Sequence, residues 1–167
     1  MKGRELKSFC GIEVNWFVSN RFYKVYLARD VMLWARLAGY VFDEESAKNS
    51  AQTAHFVEPY VLMYFRRLVR RREANELKYD EMDLATDRFL AEDSKNIRMP
   101  FRDLTKVEFV TKGHVGNYAW AGHSTQGYLN VTDMHGKRRR LYVTDAGEPR
   151  ETEAMLREFI PSLEYRE

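Results

Sequence analysis

Five arginines within seven positions, Arg66, Arg67, Arg70, Arg71 and Arg72, form the densest charge in the sequence. On a helix, 66/70 and 67/71 are four-step neighbours, so they make a basic face beside an apolar one. Such a face could meet anionic lipid, nucleic-acid phosphate or an acidic partner. Equally, cations near a helix C-terminus complement its dipole, and Glu73, Glu76, Asp80 and Glu81 stand within reach to pair with them. A second basic run covers residues 137–140, where period two puts Arg138, Arg140 and Tyr142 on one face, opposite Tyr128 and Asn130 of the adjoining strand. Arginines beside aromatics can stack on bases or grip phosphates; they can also simply shield a sheet from edge pairing. In the stretch 117–122, Tyr118 and Trp120 lie between glycines. There they can anchor an interface or fold back to plug one end of a sheet.

Catalytic chemistry has less to draw on. His114 and His123 fall in one glycine-rich stretch, His135 in the next turn and His55 far away. No HxxxH, HExxH or CxxC spacing gathers the three or four ligands that zinc needs. The run Gly113-His114-Val115-Gly116 matches neither a phosphate loop nor a dinucleotide fingerprint. Cys10 sits between Phe9 and Gly11, a setting in which thiols are usually inert. Ser124 follows His123 without the strand-turn-helix elbow of a nucleophile. Asp80, Glu81 and Asp83 lie in a polar stretch, where solvation rather than a raised pKa is expected. The sequence therefore points to no catalytic residue, no metal site and no cofactor.

These residues sit in a chain of 167, with ten Tyr, ten Phe and three Trp. That is enough apolar material for a real core and too much for disorder. The net charge of +2 argues against an obligate nucleic-acid binder, so any basic attraction must be local. One cysteine excludes an internal disulfide and fits a reducing cytosol. The N-terminus lacks a secretory apolar core, and the longest apolar run, Tyr60 to Phe65, is far below the roughly 20 residues of a spanning helix. The expectation is a soluble cytoplasmic protein. No linker or repeat divides it, so residues 1–167 read as one domain.

The elements that must position the candidates follow from periodicity. Phe22–Leu27 and Val31–Phe42 read as a β-hairpin around Ala28-Arg29-Asp30, although Leu33, Ala35, Leu37 and Ala38 leave the second run open to a helix. Gly11 to Val18 reads as an extended lead-in. Asp43-Glu44-Glu45-Ser46 looks like a helix start. Apolar residues from Phe56 to Leu68 recur at three- and four-residue steps, and Pro59 either kinks one helix or opens a second that runs towards Leu77. A further short helix or turn is expected over Leu84 to Ala91. Strands resume at Asn96–Pro100 and Leu104–Thr111. Tyr128–Thr132 and Arg138–Thr144 then flank a Gly136-containing turn. Last, Pro149 opens a helix with a stripe from Ala154 to Leu163.

Three pieces of this order carry a resemblance. FYKVYLARDVMLWARLAGYVF looks like an opening hairpin, and NIRMPFRDLTKVEF like a short strand, a proline-aromatic step and a further strand. GYLNVTDMHGKRRRLYV followed by ETEAMLREFIP looks like a closing hairpin and capping helix. Together, over roughly half the chain, they resemble the pleckstrin-homology-like superfold, bacterial PH/GRAM-like domains in particular. The resemblance implies an α+β fold, an antiparallel β-sandwich or half-barrel with a C-terminal capping helix. Residues 43–93 would then be a helical insertion, where a compact member has only a loop. Lipid-binding members usually carry a Lys and then an Arg/Lys-x-Arg triplet on the opening hairpin. This chain has Lys24, Arg29 and Arg36 without the triplet. The superfold hosts many functions, so the expected function is stated broadly: a non-enzymatic interaction module binding a protein or an anionic surface. The expected contacts are Arg66, Arg67, Arg70, Arg71, Arg138, Arg140, Tyr118 and Trp120. Nucleic-acid binding through the same arginines, or a small-ligand pocket, are the alternatives. A homodimer through the inserted helices would cover the apolar side of Phe56 to Leu68.

Overall fold

The computed structural model describes residues 6–14, 20–39, 43, 59–84, 86–111, 125–144, 149–162 and 164–166. Strands β1 (Lys7–Glu13), β2 (Arg21–Ala28) and β3 (Val31–Ala38) are followed by helices α1 (Pro59–Glu81) and α2 (Arg88–Glu92). Next come β4 (Ile97–Pro100), a 3₁₀ turn (Phe101–Asp103), β5 (Leu104–Val110), β6 (Gly127–Asp133) and β7 (Arg138–Val143). Helix α3 (Pro149–Phe159) and a short β8 (Glu164–Arg166) complete the described elements. The fold is α+β, one eight-stranded sheet in the order β4-β3-β2-β1-β7-β6-β5-β8. Every ladder is antiparallel except β5 with β8.

The sheet cannot be flat. In the order above, β4 and β5 are six strand spacings apart, roughly 29 Å if laid out in a plane. Yet only Phe101–Asp103 join them, and four Cα steps reach about 15 Å. The sheet therefore curls until these strands approach, without a ladder between them. Backbone bonds fasten the corner: Phe101 donates to the Asp30 carbonyl (2.9 Å), and Met134 to the Asp103 carbonyl (2.8 Å). Curling makes an inside. Phe9, Tyr23, Val25, Leu27, Met32 and Trp34 meet Val107, Phe109, Leu129, Val131, Leu141 and Val143 there, with Leu156 and Ile160 from the end of α3 packed into the same cluster. The two halves of the sheet come together where β1 meets β7, and Gly11 allows it. A Cβ at this position would lie 2.7 Å from both Leu141 Cγ and the Tyr142 carbonyl oxygen.

Burial separates the halves. In β6 it alternates, as it must when one face is solvated. In β2 and β3 nearly every side chain is at least half-buried, because the outer face is covered too. Cys10, Ile12, Phe22, Tyr26, Leu33, Ala35 and Leu37 pack there against Tyr79, Leu84 and Phe89. A strand buried on both faces reads as a continuous apolar run, which is why Val31–Ala38 also looks helical in sequence. Pro59 opens its own helix, which runs past Leu77 to Glu81. The segment 84–91 holds α2, and the lead-in strand is Lys7–Glu13, earlier than expected. The helix start at 44–46, and Tyr118 and Trp120, lie outside the described residues.

Candidate functional site

Helix α1 is held to the sheet by its second half. Tyr79 enters the outer core, and Asn75 Nδ2 donates to the Leu37 carbonyl at 2.9 Å. Lys24 Nζ of β2 lies between Glu76 (3.0 Å) and Asp80 (2.9 Å), while the Tyr26 hydroxyl donates to Asp80 at 2.7 Å. Arg72 pairs with Glu76 at 2.9 Å and sits 5.4 Å over the Phe22 ring. Burial pulls the Lys24 pKa down, but hydrogen bonds to Asp80 and Glu76 outweigh it and leave the ammonium more firmly protonated than usual. Burial, then the hydrogen bond to Asp80, drives the Tyr26 pKa strongly upward. Lower down, Asn96 is buried among Tyr79, the Phe89 carbonyl and the Arg36 amide, and Arg36 pairs with Asp93 at 3.1 Å. Two of the three opening-hairpin cations, Lys24 and Arg36, thus fasten the segment between β3 and β4 to the sheet. Arg29 is exposed in the β2–β3 turn.

The first half of α1 is different. Tyr60, Met63 and Tyr64 are 77%, 65% and 60% exposed. Phe65, Leu68 and Val69 turn inward as a separate small cluster. Arg66, Arg67, Arg70 and Arg71 are exposed, and none forms an ion pair with another described residue. The expected neutralisation does not occur among these residues: Glu76 and Asp80 are committed to Lys24 and Arg72. Nor do the arginines lie at a helix C-terminus, because α1 continues nine residues beyond Arg72. Four of the five arginines therefore face outward on a surface that also carries Tyr60, Met63 and Tyr64. The fifth is a docking residue.

The second basic run divides by strand alternation. Arg139 turns to the other side of β7 and pairs with buried Glu13 at 2.9 Å. Glu13 also faces Arg21 (3.4 Å) and the Tyr23 hydroxyl (3.5 Å). Burial, reinforced by the Glu13 charge, pushes Tyr23 up to about 12. Arg138 and Arg140 stay on the outer face, where register builds rows across the strands. Arg138 is opposite Thr132, which is opposite Lys106; Arg140 is opposite Asn130, which is opposite Glu108. Arg140 lies 4.3 Å over the Tyr128 ring and donates its Nε–H to Asn130 Oδ1 at 2.9 Å. Arg166 of β8 and Lys106 both reach Glu108 at 3.0 Å. The hydrogen bond from Lys106, opposed by burial and helped by Arg166, lowers the Glu108 pKa. Lys106, Glu108, Asn130, Thr132, Arg138, Arg140 and Arg166, together with Arg139, line an open cavity of about 330 Å³.

Sequence reasoning brought Arg138 and Arg140 to this face, with Asn130 and Tyr128 on the partner strand as the register shows, but missed Lys106, Thr132 and Arg166. Alternation in LTKVEF already turns Lys106 and Glu108 outward. Nothing in EYR signals that β8 joins the sheet. His135 is exposed, and among the described residues no group of three or more His, Cys, Asp or Glu is placed to hold a metal ion. No described helix is long and apolar enough to cross a membrane. No protein-family model, curated protein or solved structure matches the chain.

Proposed function

We propose that this protein is a non-enzymatic interaction module of PH-like fold that docks on an anionic surface through the first half of α1. The fold part of this reading rests on strand order: a meander running β4-β3-β2-β1-β7-β6-β5, curled by a three-residue corner, with α3 packed into its core. On this reading α1 and α2 are the insertion, anchored by Lys24, Arg36 and Asn96. The observation that carries the function is the set Arg66, Arg67, Arg70 and Arg71, without ion pairs among the described residues, beside exposed Tyr60, Met63 and Tyr64. Aromatic and Met side chains enter the headgroup layer while arginines on the same face bind lipid phosphates and snorkel. A nucleic-acid backbone would use the arginines but give Met63 no counterpart, so a bilayer interface fits the mixture better.

Co-sedimentation with vesicles tests the proposal. The protein should pellet with vesicles containing phosphatidylserine and stay in solution with phosphatidylcholine alone. Each cation near such a surface contributes about 1 kcal/mol. Neutralising Arg66, Arg67 and Arg70 to Gln should therefore weaken binding on the order of 100-fold, and reversal to Glu should abolish it. Equal partition into both vesicle types, or indifference to charge reversal, rejects the reading. Retention of short RNA at low salt, lost with the same arginines and without vesicle binding, would assign the face to nucleic acid instead.

A further inference from the structure

We propose that the outer face of β5–β8 is a separate binding site for a small phosphate-bearing ligand, held over Thr132 between Arg138, Arg140 and Lys106. It does not depend on what α1 meets.

Four observations converge. First, four cations, Lys106, Arg138, Arg140 and Arg166, share this face with two carboxylates, Glu108 and Glu164. Both carboxylates are engaged by Lys106 and Arg166, which leaves the charges of Arg138 and Arg140 uncompensated among the described residues. Glu108 does not repel an anion as a free carboxylate would, because two cations already contact it. Second, Arg140 is preorganised. Tyr128 supports the guanidinium plane and Asn130 takes the Nε–H, so the remaining donors are those of the terminal fork that fits phosphate oxygens. Ordering this side chain costs little on binding, since the ordering is already present.

Third, the register gives a workable spacing. Arg138 and Arg140 are two residues apart on β7, about 6.8 Å between Cα atoms. Arg138 and Lys106 flank Thr132 across two strand spacings, roughly 10 Å. Long side chains close easily over a group of phosphate size at that separation, and the Thr132 hydroxyl supplies a neutral donor from below. Fourth, these residues surround a real concavity, about 330 Å³, at the lower end of the range for small-ligand sites. A solvated shield against edge pairing requires none of this: β7 and β6 are interior strands of the sheet, with no edge to protect.

Calorimetric titration with inorganic pyrophosphate tests the site. Saturable one-site binding is expected at physiological ionic strength. R138Q and R140Q should each weaken it at least tenfold without lowering the melting temperature. R140K should also weaken it several-fold, because it keeps the charge and loses the fork. R102Q, a control on the exposed 3₁₀ turn, and R66E/R67E/R70E on α1 should leave it unchanged. Vesicles of phosphatidic acid serve as competitor. Displacement of pyrophosphate identifies a lipid headgroup as the source of the phosphate, and no displacement identifies a soluble ligand; either result keeps the site. Absence of saturable pyrophosphate binding overturns the proposal. So does a loss in R102Q equal to that in R140Q, which would reduce the effect to bulk charge.

Discussion

Lys24 lies on a face where most neighbours are apolar, and it is tolerable there because α1 delivers two carboxylates to it. Removing one partner of such a group costs more than the hydrogen bond is worth, because the other is left buried and unpaired. Asp80→Ala strips Tyr26 of its acceptor and Lys24 of one carboxylate. It should lower the unfolding free energy by about 2–3 kcal/mol in urea titration, whereas Tyr26→Phe, which removes the donor instead, should cost about 1–2 kcal/mol. Equal effects would mean that Asp80 acts only through Tyr26. Gly11 is tested in the opposite direction, by adding atoms. Gly11→Ala places a methyl against Leu141 and the Tyr142 carbonyl, and overpacking of that kind costs about 1–3 kcal/mol. A neutral result would show that β1 and β7 separate more readily than their contact suggests.

At the scale of elements, α1 is one continuous helix with two different fates. Residues 72–81 carry the ion pairs, the Asn75 bond and the buried Tyr79. Among the described side chains of residues 60–71, burial is confined to the small Phe65, Leu68 and Val69 cluster. Local opening follows the density of such contacts, so amide exchange should be at least tenfold faster across 60–68 than across 73–80. Uniform protection would require a cover over the exposed half. The sequence conveys much of this element structure. The alternation of Val107 and Phe109 with Lys106 and Glu108 sets both the core and the outer face of β5. The turn at Gly136, with φ near 75°, is legible from residue type alone. What the sequence hides is pairing at a distance. Nothing near Lys24 says that Glu76 and Asp80, more than fifty residues on, will absorb its charge. Nothing in the run 66–72 says that Arg72 alone turns inward over Phe22. The helix phase that decides this depends on where Pro59 starts the helix and on which face the sheet accepts.

For the whole molecule, the curled sheet and the helix packed on it put polar groups of β2 and α1 into surroundings that favour their protonated forms. Tyr23 is raised to about 12 by burial and then by Glu13. Tyr79 is raised by burial, partly offset by Asn96; Tyr26 is raised by burial and Asp80; and Lys24 is raised on balance by Asp80 and Glu76. In each case the folded protein holds its proton more tightly than the unfolded chain, where tyrosines titrate near 10 and lysines slightly above. Stability is therefore undiminished below pH 10. It falls as pH rises through the interval from the unfolded values to the folded ones, since the unfolded state gains by releasing protons that the native state retains. The urea midpoint should hold steady from pH 8 to 9.5 and decline steeply between pH 10 and 12. Tyr23→Phe removes one of the four protons and should flatten that decline while leaving the unfolding free energy at neutral pH within about 1.5 kcal/mol of wild type, the scale of a single hydrogen bond. A midpoint that rises with alkalinity, or a slope that the Tyr23→Phe variant does not change, would mean that the interior between β1, β2 and β7 admits water to the Tyr23 hydroxyl. The curled packing around Glu13 and Arg139 would then be looser than the geometry requires.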